Sequence, residues 1–325
     1  MRICILQAVF KIMMFLLLLS SSSAYAGNVK ITPLGSHDGE FCSRDRALIF
    51  EDPDGTRILY DPGLTVAGAN DPRLGKIDVV LISHMHGDHV GSWHIKKLNE
   101  GHCGKPKASQ KALPNTNTVN IALAKKAKIL TGSEMPKFFA SKLKSLGGNP
   151  KDSLLVRFGA SRKIGSVAIT TVPAVHSNGI AGSMIGGKLG DMLHTSGLTA
   201  YAGPPTGFIL TFSNGLVVYL SGDTGITAEQ DLVVRQHYAA KLVVMNIGDT
   251  YTTGPKEAAY VINELVRPKA VIASHANEVA TINGKVVAGT RTDIFRKATK
   301  VPVHIPLSGT TMVFNRQAKC VTGCQ

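Results

Sequence analysis

Four side chains able to bind a metal fall within six residues in Ser83-His84-Met85-His86-Gly87-Asp88-His89. Imidazole nitrogens and a carboxylate are borderline to hard ligands and suit zinc, manganese or iron. A regular helix cannot bring an H-x-H-x-D-H spacing to one point, so the run has to be a turn. Three further candidates stand alone: His176 in Val172-Pro173-Ala174-Val175-His176-Ser177, Asp223 in Leu220-Ser221-Gly222-Asp223-Thr224-Gly225, and His275 in Ala273-Ser274-His275. Asp61 opens an Asp61-Pro62-Gly63 turn. Taken singly, the last four read as a core histidine, two turn aspartates and a surface histidine.

Each of these residues follows an apolar run, and the runs are the elements that must position them. Residues 77–82 (IDVVLI) are apolar except for Asp78, the pattern of a strand buried on both faces. Residues 47–50 and 57–60 form a predicted hairpin around Asp52-Pro53-Asp54-Gly55, with Asp61 at its end. Further strands are expected at 29–33, 167–172, 207–212, 216–220, 242–247 and 270–273, with Asn214-Gly215 as a tight turn. Helical stretches are expected at 119–128, 137–146 and 255–266, the last opened by Pro255 and stopped by Pro268. His94 falls where a helix surface is expected after the cluster. Strands with turns in both halves and helices between them predict an α/β fold with two sheets packed between helices.

The ordered set His84, His86, Asp88, His89, then His176, Asp223 and His275, with Asp61 ahead of them, resembles the metallo-β-lactamase superfamily over about residues 29–280. Val172 to Ser177, Gly207-Phe208-Ile209-Leu210-Thr211-Phe212, Ser221 to Gly225, Ile247-Gly248-Asp249 and Thr253-Gly254-Pro255-Lys256-Glu257-Ala258-Ala259 are similar to the metal-dependent hydrolases related to ascorbate-phosphate lactonases. The resemblance implies a metallo-β-lactamase αββα four-layer sandwich and two divalent metal ions, zinc first, with manganese and iron as alternatives. It implies His84, His86 and His176 on one ion, Asp88, His89 and His275 on the other, and Asp223 between them. Asp61 either orients a ligand through hydrogen bonds or caps its turn. A water bridging two such ions has its pKa lowered from about 15.7 toward 7. The resulting hydroxide attacks a carbonyl or phosphoryl centre, with Asp88 as the catalytic residue that passes a proton to the leaving group.

The expected activity is therefore hydrolysis of a small ester, lactone or phosphodiester. The alternatives are β-lactam hydrolysis, where the usual pattern has a bridging Cys in place of Asp223, and a non-catalytic metal-binding role. A flavodiiron-type protein would need a flavin domain for which the chain has no room. The chain departs from the family pattern at 35–44 (closer to the phosphodiesterase branch), 98–150, 183–205 and the Cys320 to Cys324 tail. His37, His194 and Tyr201 lie in these segments and are candidate substrate contacts. Arg44 and Arg46 match anionic groups by chemistry, with surface solvation the simpler reading. Ser83 and Ser274 lack an evident base-and-acid set and are not read as nucleophiles.

Bulk properties frame this reading. The chain has 325 residues and is 44% hydrophobic, enough for a large core and against a disordered chain. Residues 1–26 carry Arg2 and Lys11, an apolar run of eight from Ile12 to Leu19, and Ala24-Tyr25-Ala26, the layout of a cleaved signal peptide. That run is too short for the roughly 20 residues of a membrane span. The expectation is an exported chain, periplasmic or secreted, with one hydrolase domain over 27–325 and no stable membrane anchor after cleavage. Cleavage would lower the formal charge from +14 to +12. No nucleic-acid motif accompanies the dispersed basic residues, so the expected partner is a small-molecule substrate. Four cysteines would remain, and in an oxidising compartment an even count permits Cys320 with Cys324 and Cys42 with Cys103. Oligomeric state is open at this level.

Overall fold

The computed structural model describes residues 27–325, so the expected signal segment lies outside the described residues. Fifteen strands build two sheets among these residues. In chain order they are β1 (Val29–Pro33), β2 (Leu48–Glu51), β3 (Arg57–Tyr60), β4 (Val79–Ile82), β5 (Lys128–Thr131), β6 (Ser153–Leu155), β7 (Ser161–Ile164) and β8 (Val167–Pro173). Then follow β9 (Thr206–Thr211), β10 (Val217–Leu220), β11 (Leu242–Asn246), β12 (Ala270–Ser274), β13 (Val303–His304), β14 (Met312–Phe314) and β15 (Cys320–Thr322). The first sheet runs β6-β5-β4-β3-β2-β1-β14-β15 and the second runs β7-β8-β9-β10-β11-β12-β13.

Strand alternation sets the layers. In β4, Val79 and Leu81 join the core between the sheets, with Phe50, Ile58, Phe208, Val218, Val244 and Ile272. Val80 and Ile82 face the other way, onto Val119, Ile121, Phe139 and Leu143 of helices Asn117–Lys125 and Met135–Ser145. The second sheet repeats the logic: Val243, Met245, Val271 and Ala273 pack on Val234, Ile262, Val266 and Phe295 of the outer helices. The result is helix, sheet, sheet, helix, the four-layer αββα sandwich expected from the resemblance. Among the described residues no helix is long and apolar enough to cross a membrane.

The strand expectations hold within a residue or two. The helix expected at 119–128 is shifted to Asn117–Lys125, because Thr116 caps it by accepting from the Val119 N–H and residues 128–131 are strand. The expected helix at 255–266 is α-helical over Pro255–Tyr260 and π-wound over Val261–Val266. His94 is not on a helix surface. It lies in the two-residue strand Trp93–His94, 7% exposed, with its Nδ1 2.8 Å from the Ile95 carbonyl. The disulfides Cys42–Cys103 and Cys320–Cys324 are both formed.

Candidate metal centre

The candidate ligands and Asp61 stand on one edge of the sandwich. Asp61 follows β3, the His84–His89 run follows β4, His176 follows β8, Asp223 follows β10 and His275 follows β12. After β4 the chain turns through His86, in an extended conformation, into the single helical turn Gly87–Val90, which carries Asp88 and His89. Gly63 packs this turn closely. Its N–H donates to the His89 carbonyl at 2.9 Å. A Cβ at Gly63 would collide with the Asp88 carbonyl oxygen, and its φ of +50° also favours glycine. His275 itself has φ +52°, which bends the chain sharply at the end of β12.

The seven residues expected to hold metal converge. Two trios have ligand atoms close enough to hold an ion: His84, His86 and His176, and Asp88, His89 and His275; Asp223 forms a further such group with His84 and His89. Oδ2 of Asp223 is the hub. It lies 3.1 Å from His275 Nε2, 3.3 Å from His89 Nε2, and 3.8 Å from the Nε2 atoms of His84 and His176. His86 turns its Nδ1 inward, 2.9 Å from His84 Nε2 and 3.3 Å from His176 Nε2. Nitrogens this close share a focus, and a divalent ion at such a focus would satisfy them. His275 is buried, yet among the described residues neither of its ring nitrogens has a partner in hydrogen-bond geometry. Donor set and orphaned imidazole both fit divalent metal.

Hydrogen bonds behind the ligands fix their rings. Asp61 is fully buried; its Oδ1 accepts from the Ser83 N–H at 2.9 Å and its Oδ2 from the Ser83 hydroxyl at 2.7 Å. The same Oδ2 lies 2.8 Å from His89 Nδ1. Ser83 Oγ in turn lies 2.9 Å from His84 Nδ1. One carboxylate thus orients His89 directly and His84 through a serine, the ligand-orienting role allowed for Asp61 from sequence. Ser83 does sit between a histidine and an acid, but it is 1% exposed behind the ligands and cannot reach a substrate. Ser177 Oγ stands 3.2 Å from His86 Nε2 and supports that ring from the solvent side.

Electrostatics follow from burial and the two central carboxylates. Burial, reinforced by His89, pushes His84 well below the usual imidazole range. Burial also lowers His86, His176 and His275. Burial works against a charged His89 too, but Asp223 and Asp61 outweigh it and raise the pKa to about 10. For Asp223 burial opposes ionisation, and His275 and His89 override it and hold the carboxyl well below its ordinary value. Asp88 is likewise kept ionised against burial, chiefly by Arg46.

Arg46 is the residue that sequence reasoning placed wrongly. It is 4% exposed, not solvated; its Nη1 pairs with Asp88 Oδ2 and lies 3.2 Å from His89 Nε2. The hairpin carried the missing signal: Leu48 pairs with Tyr60, so two residues before β2 must lie beside Asp61 at the site edge. Arg44 is exposed and lines the cavity over the centre, about 430 Å³, with Ser43, Ser177, Tyr251 and Asn277. The three expected substrate contacts do not line that cavity. The His37 ring is turned back onto Ser36 Oγ at 3.0 Å. His194 ends helix Gly187–Thr195 and lines a different cavity with Lys111, Pro114 and Asp191. Tyr201 pairs with Gly179 in a two-stranded antiparallel sheet whose strands are linked through two helices, and it is 75% exposed.

Fold and site together define a metal-dependent hydrolase of metallo-β-lactamase fold. The profile described as "Beta-lactamase superfamily domain" matches residues 56–276, and the chain belongs to that superfamily. It is 28% identical over 236 residues to a UPF0173 metal-dependent hydrolase of Koribacter versatilis, covering 72% of this chain and 82% of that protein. It is 28% identical over 245 residues to a UPF0173 metal-dependent hydrolase of Thermodesulfovibrio yellowstonii, covering 72% and 76%. In fold it is similar to Igni18, a metallo hydrolase from Ignicoccus hospitalis, with TM-score 0.59 and 23% identity over 89% of this chain and 99% of that one. It is similar also to the metallo-beta-lactamase fold protein YhfI from Bacillus subtilis, with TM-score 0.53 and 14% identity over 88% and 99%.

Proposed function

We propose that the chain hydrolyses a small ester, lactone or phosphodiester at a centre with seats for two divalent ions, and that it does so outside the cytoplasm. The observation that carries the chemistry is the position of Asp223 Oδ2, within 3.8 Å of imidazoles from both trios. When bound, divalent ions supply Lewis acidity that makes a water nucleophilic near neutral pH and polarises the electrophilic oxygen. The protein does the rest. Asp61 and Ser83 hold two rings in the ligating tautomer, and Ser177 steadies a third. Asp88 is ionised and lines the cavity, so it can take a proton there and pass it to a leaving group. Arg44 on the wall favours substrates that carry an anionic group. The proposed export is supported by the leader-like residues 1–26 and by two disulfides, which persist in oxidising compartments.

The test is metal quantification on protein starting at Gly27, followed by lactone, phosphodiester, aryl ester and nitrocefin substrates. One of the first three should turn over, and a folded His86→Ala variant should lose at least about 100-fold in kcat/KM. Unchanged hydrolysis by His86→Ala, or turnover that survives complete chelation, would refute the proposal.

A further inference from the structure

The two trios are not equivalent, and Arg46 is the reason. Its Nη1 reaches Asp88 Oδ2 and His89 Nε2, two of the three ligand atoms of the second trio. His89 Nδ1 is committed to Asp61 at 2.8 Å, so the lone pair a metal would take is on Nε2. Nη1 of Arg46 stands 3.2 Å from that nitrogen. An imidazole nitrogen has one lone pair in the ring plane, and a metal would lie along it at about 2.0–2.1 Å. A metal on Nε2 and a guanidinium nitrogen 3.2 Å from the same atom would compete for the same space beside Asp88. Among the described residues no such group stands against His84, His86 or His176, whose inward nitrogens face each other and Asp223.

Charge points the same way. Asp61, Asp88 and Asp223 bring three negative charges into the centre. With His89 neutral, as a ligand must be, Arg46 and a single divalent ion balance them. A second ion added with Arg46 in place would leave two uncompensated positive charges in a buried region of low dielectric. The guanidinium is also incompletely satisfied where it sits, since its Nε and Nη2 have no hydrogen-bond partner among the described residues. A buried cation held mainly by one carboxylate can be displaced by a stronger ligand for that carboxylate.

We infer that Arg46 is a tethered cation competing with metal for the second seat, so that the first ion binds tightly and the second only by displacing the guanidinium. This rests on the two-seat reading above and adds that the seats fill in sequence. Asp88, freed from Arg46 when the second ion enters, would then change from a paired carboxylate to a ligand.

Stripped protein (residues 27–325) titrated with zinc alone, by calorimetry and by competition with a chromophoric chelator, tests this without reference to activity. Wild type should bind one equivalent tightly and a second at least about 100-fold more weakly, the scale of breaking a buried charge pair. In Arg46→Gln and Arg46→Ala the second equivalent should tighten at least about tenfold, with the first within about threefold of wild type. Two equivalents of like affinity in wild type would overturn the inference whether or not the variants fold. A second equivalent that stays weak in folded Arg46→Gln would also overturn it. Both results leave the metal reading standing, whereas a wild type that binds no zinc refutes that reading and the inference with it.

Discussion

Asp61→Asn is the substitution that most sharply separates ligand orientation from ligand identity. Asp61 accepts three hydrogen bonds with two oxygens: the Ser83 N–H, the Ser83 hydroxyl and the His89 Nδ1 proton. Asparagine has one acceptor oxygen. If that oxygen keeps the Ser83 N–H, the amide NH2 faces both the serine hydroxyl and His89, donor against donor. A neutral His89, the form needed to ligate, would then carry its proton on Nε2, the atom that faces Asp223, and could not hold an ion there. His84, whose Nδ1 rests on the same serine, loses its orientation as well. Such outer partners are each worth about 10–100-fold in metal affinity. With two rings affected, the upper end applies, about 100-fold or about 2.7 kcal/mol. The backbone at residue 61 has φ +39°, a region asparagine tolerates, so the fold should survive the exchange. Zinc affinity by chelator competition is the readout, with thermal unfolding of the stripped proteins as the folding control. A folded Asp61→Asn protein that binds zinc within about threefold of wild type would refute the orientation argument.

Two further outcomes follow from parts of the fold away from the ligands. Cys42–Cys103 closes a sequence separation of 61 residues and Cys320–Cys324 one of 4. Chain entropy alone then assigns about 4 kcal/mol to the first and about 2 kcal/mol to the second. Paired Cys→Ser replacements compared by urea unfolding should show the larger loss for the first bridge; equal losses would count against the entropic account. Asp45 is buried next to Arg46 in the chain, and burial raises its pKa from 3.8 to about 6, despite the hydrogen bonds it accepts from the Cys42 and Ser36 N–H groups. A folded pKa above the unfolded one means that the native state binds the extra proton. This group therefore takes stability away as pH rises from about 4 to about 6, by about 3 kcal/mol in all, with no further change above. Relative to Asp45→Asn, stripped wild type should lose that amount between pH 4 and pH 7, and parallel pH profiles for the two proteins would rule it out.

Where the sequence was readable, local pattern and function coincided. The IDVVLI strand is apolar on both faces, so its end had to be an edge of a sheet, and the ligand cluster stands there. His176, Asp223 and His275 were legible for the same reason, each one to three residues past a strand. Arg46 looked like a solvated surface residue because arginine is so rarely buried, and only the hairpin register beside Asp61 contradicts that. His94 was misread because a two-residue strand leaves no periodicity to detect. The closing strands of the first sheet were invisible for a different reason. β14 pairs with β1 in the register Val29 with Phe314, across nearly the whole chain, and nothing local encodes so distant a partner. His37, His194 and Tyr201 lie off the cavity over the centre, because in such loop segments only tertiary packing decides which side chain faces it.

The distribution of ligands over the two sheets has a consequence for how the molecule comes apart. Each trio takes two residues from the turn after β4, in the first sheet, and one from the second: His84 and His86 with His176, Asp88 and His89 with His275. Neither half of the sandwich holds a complete set by itself. An ion bound by either trio would therefore be a latch across the seam, and part of its affinity would be the free energy of keeping the halves docked. Metal release and parting of the sheets should share a barrier, so that a chain whose halves have not closed retains no metal. Loading would then report on the assembly of the whole sandwich.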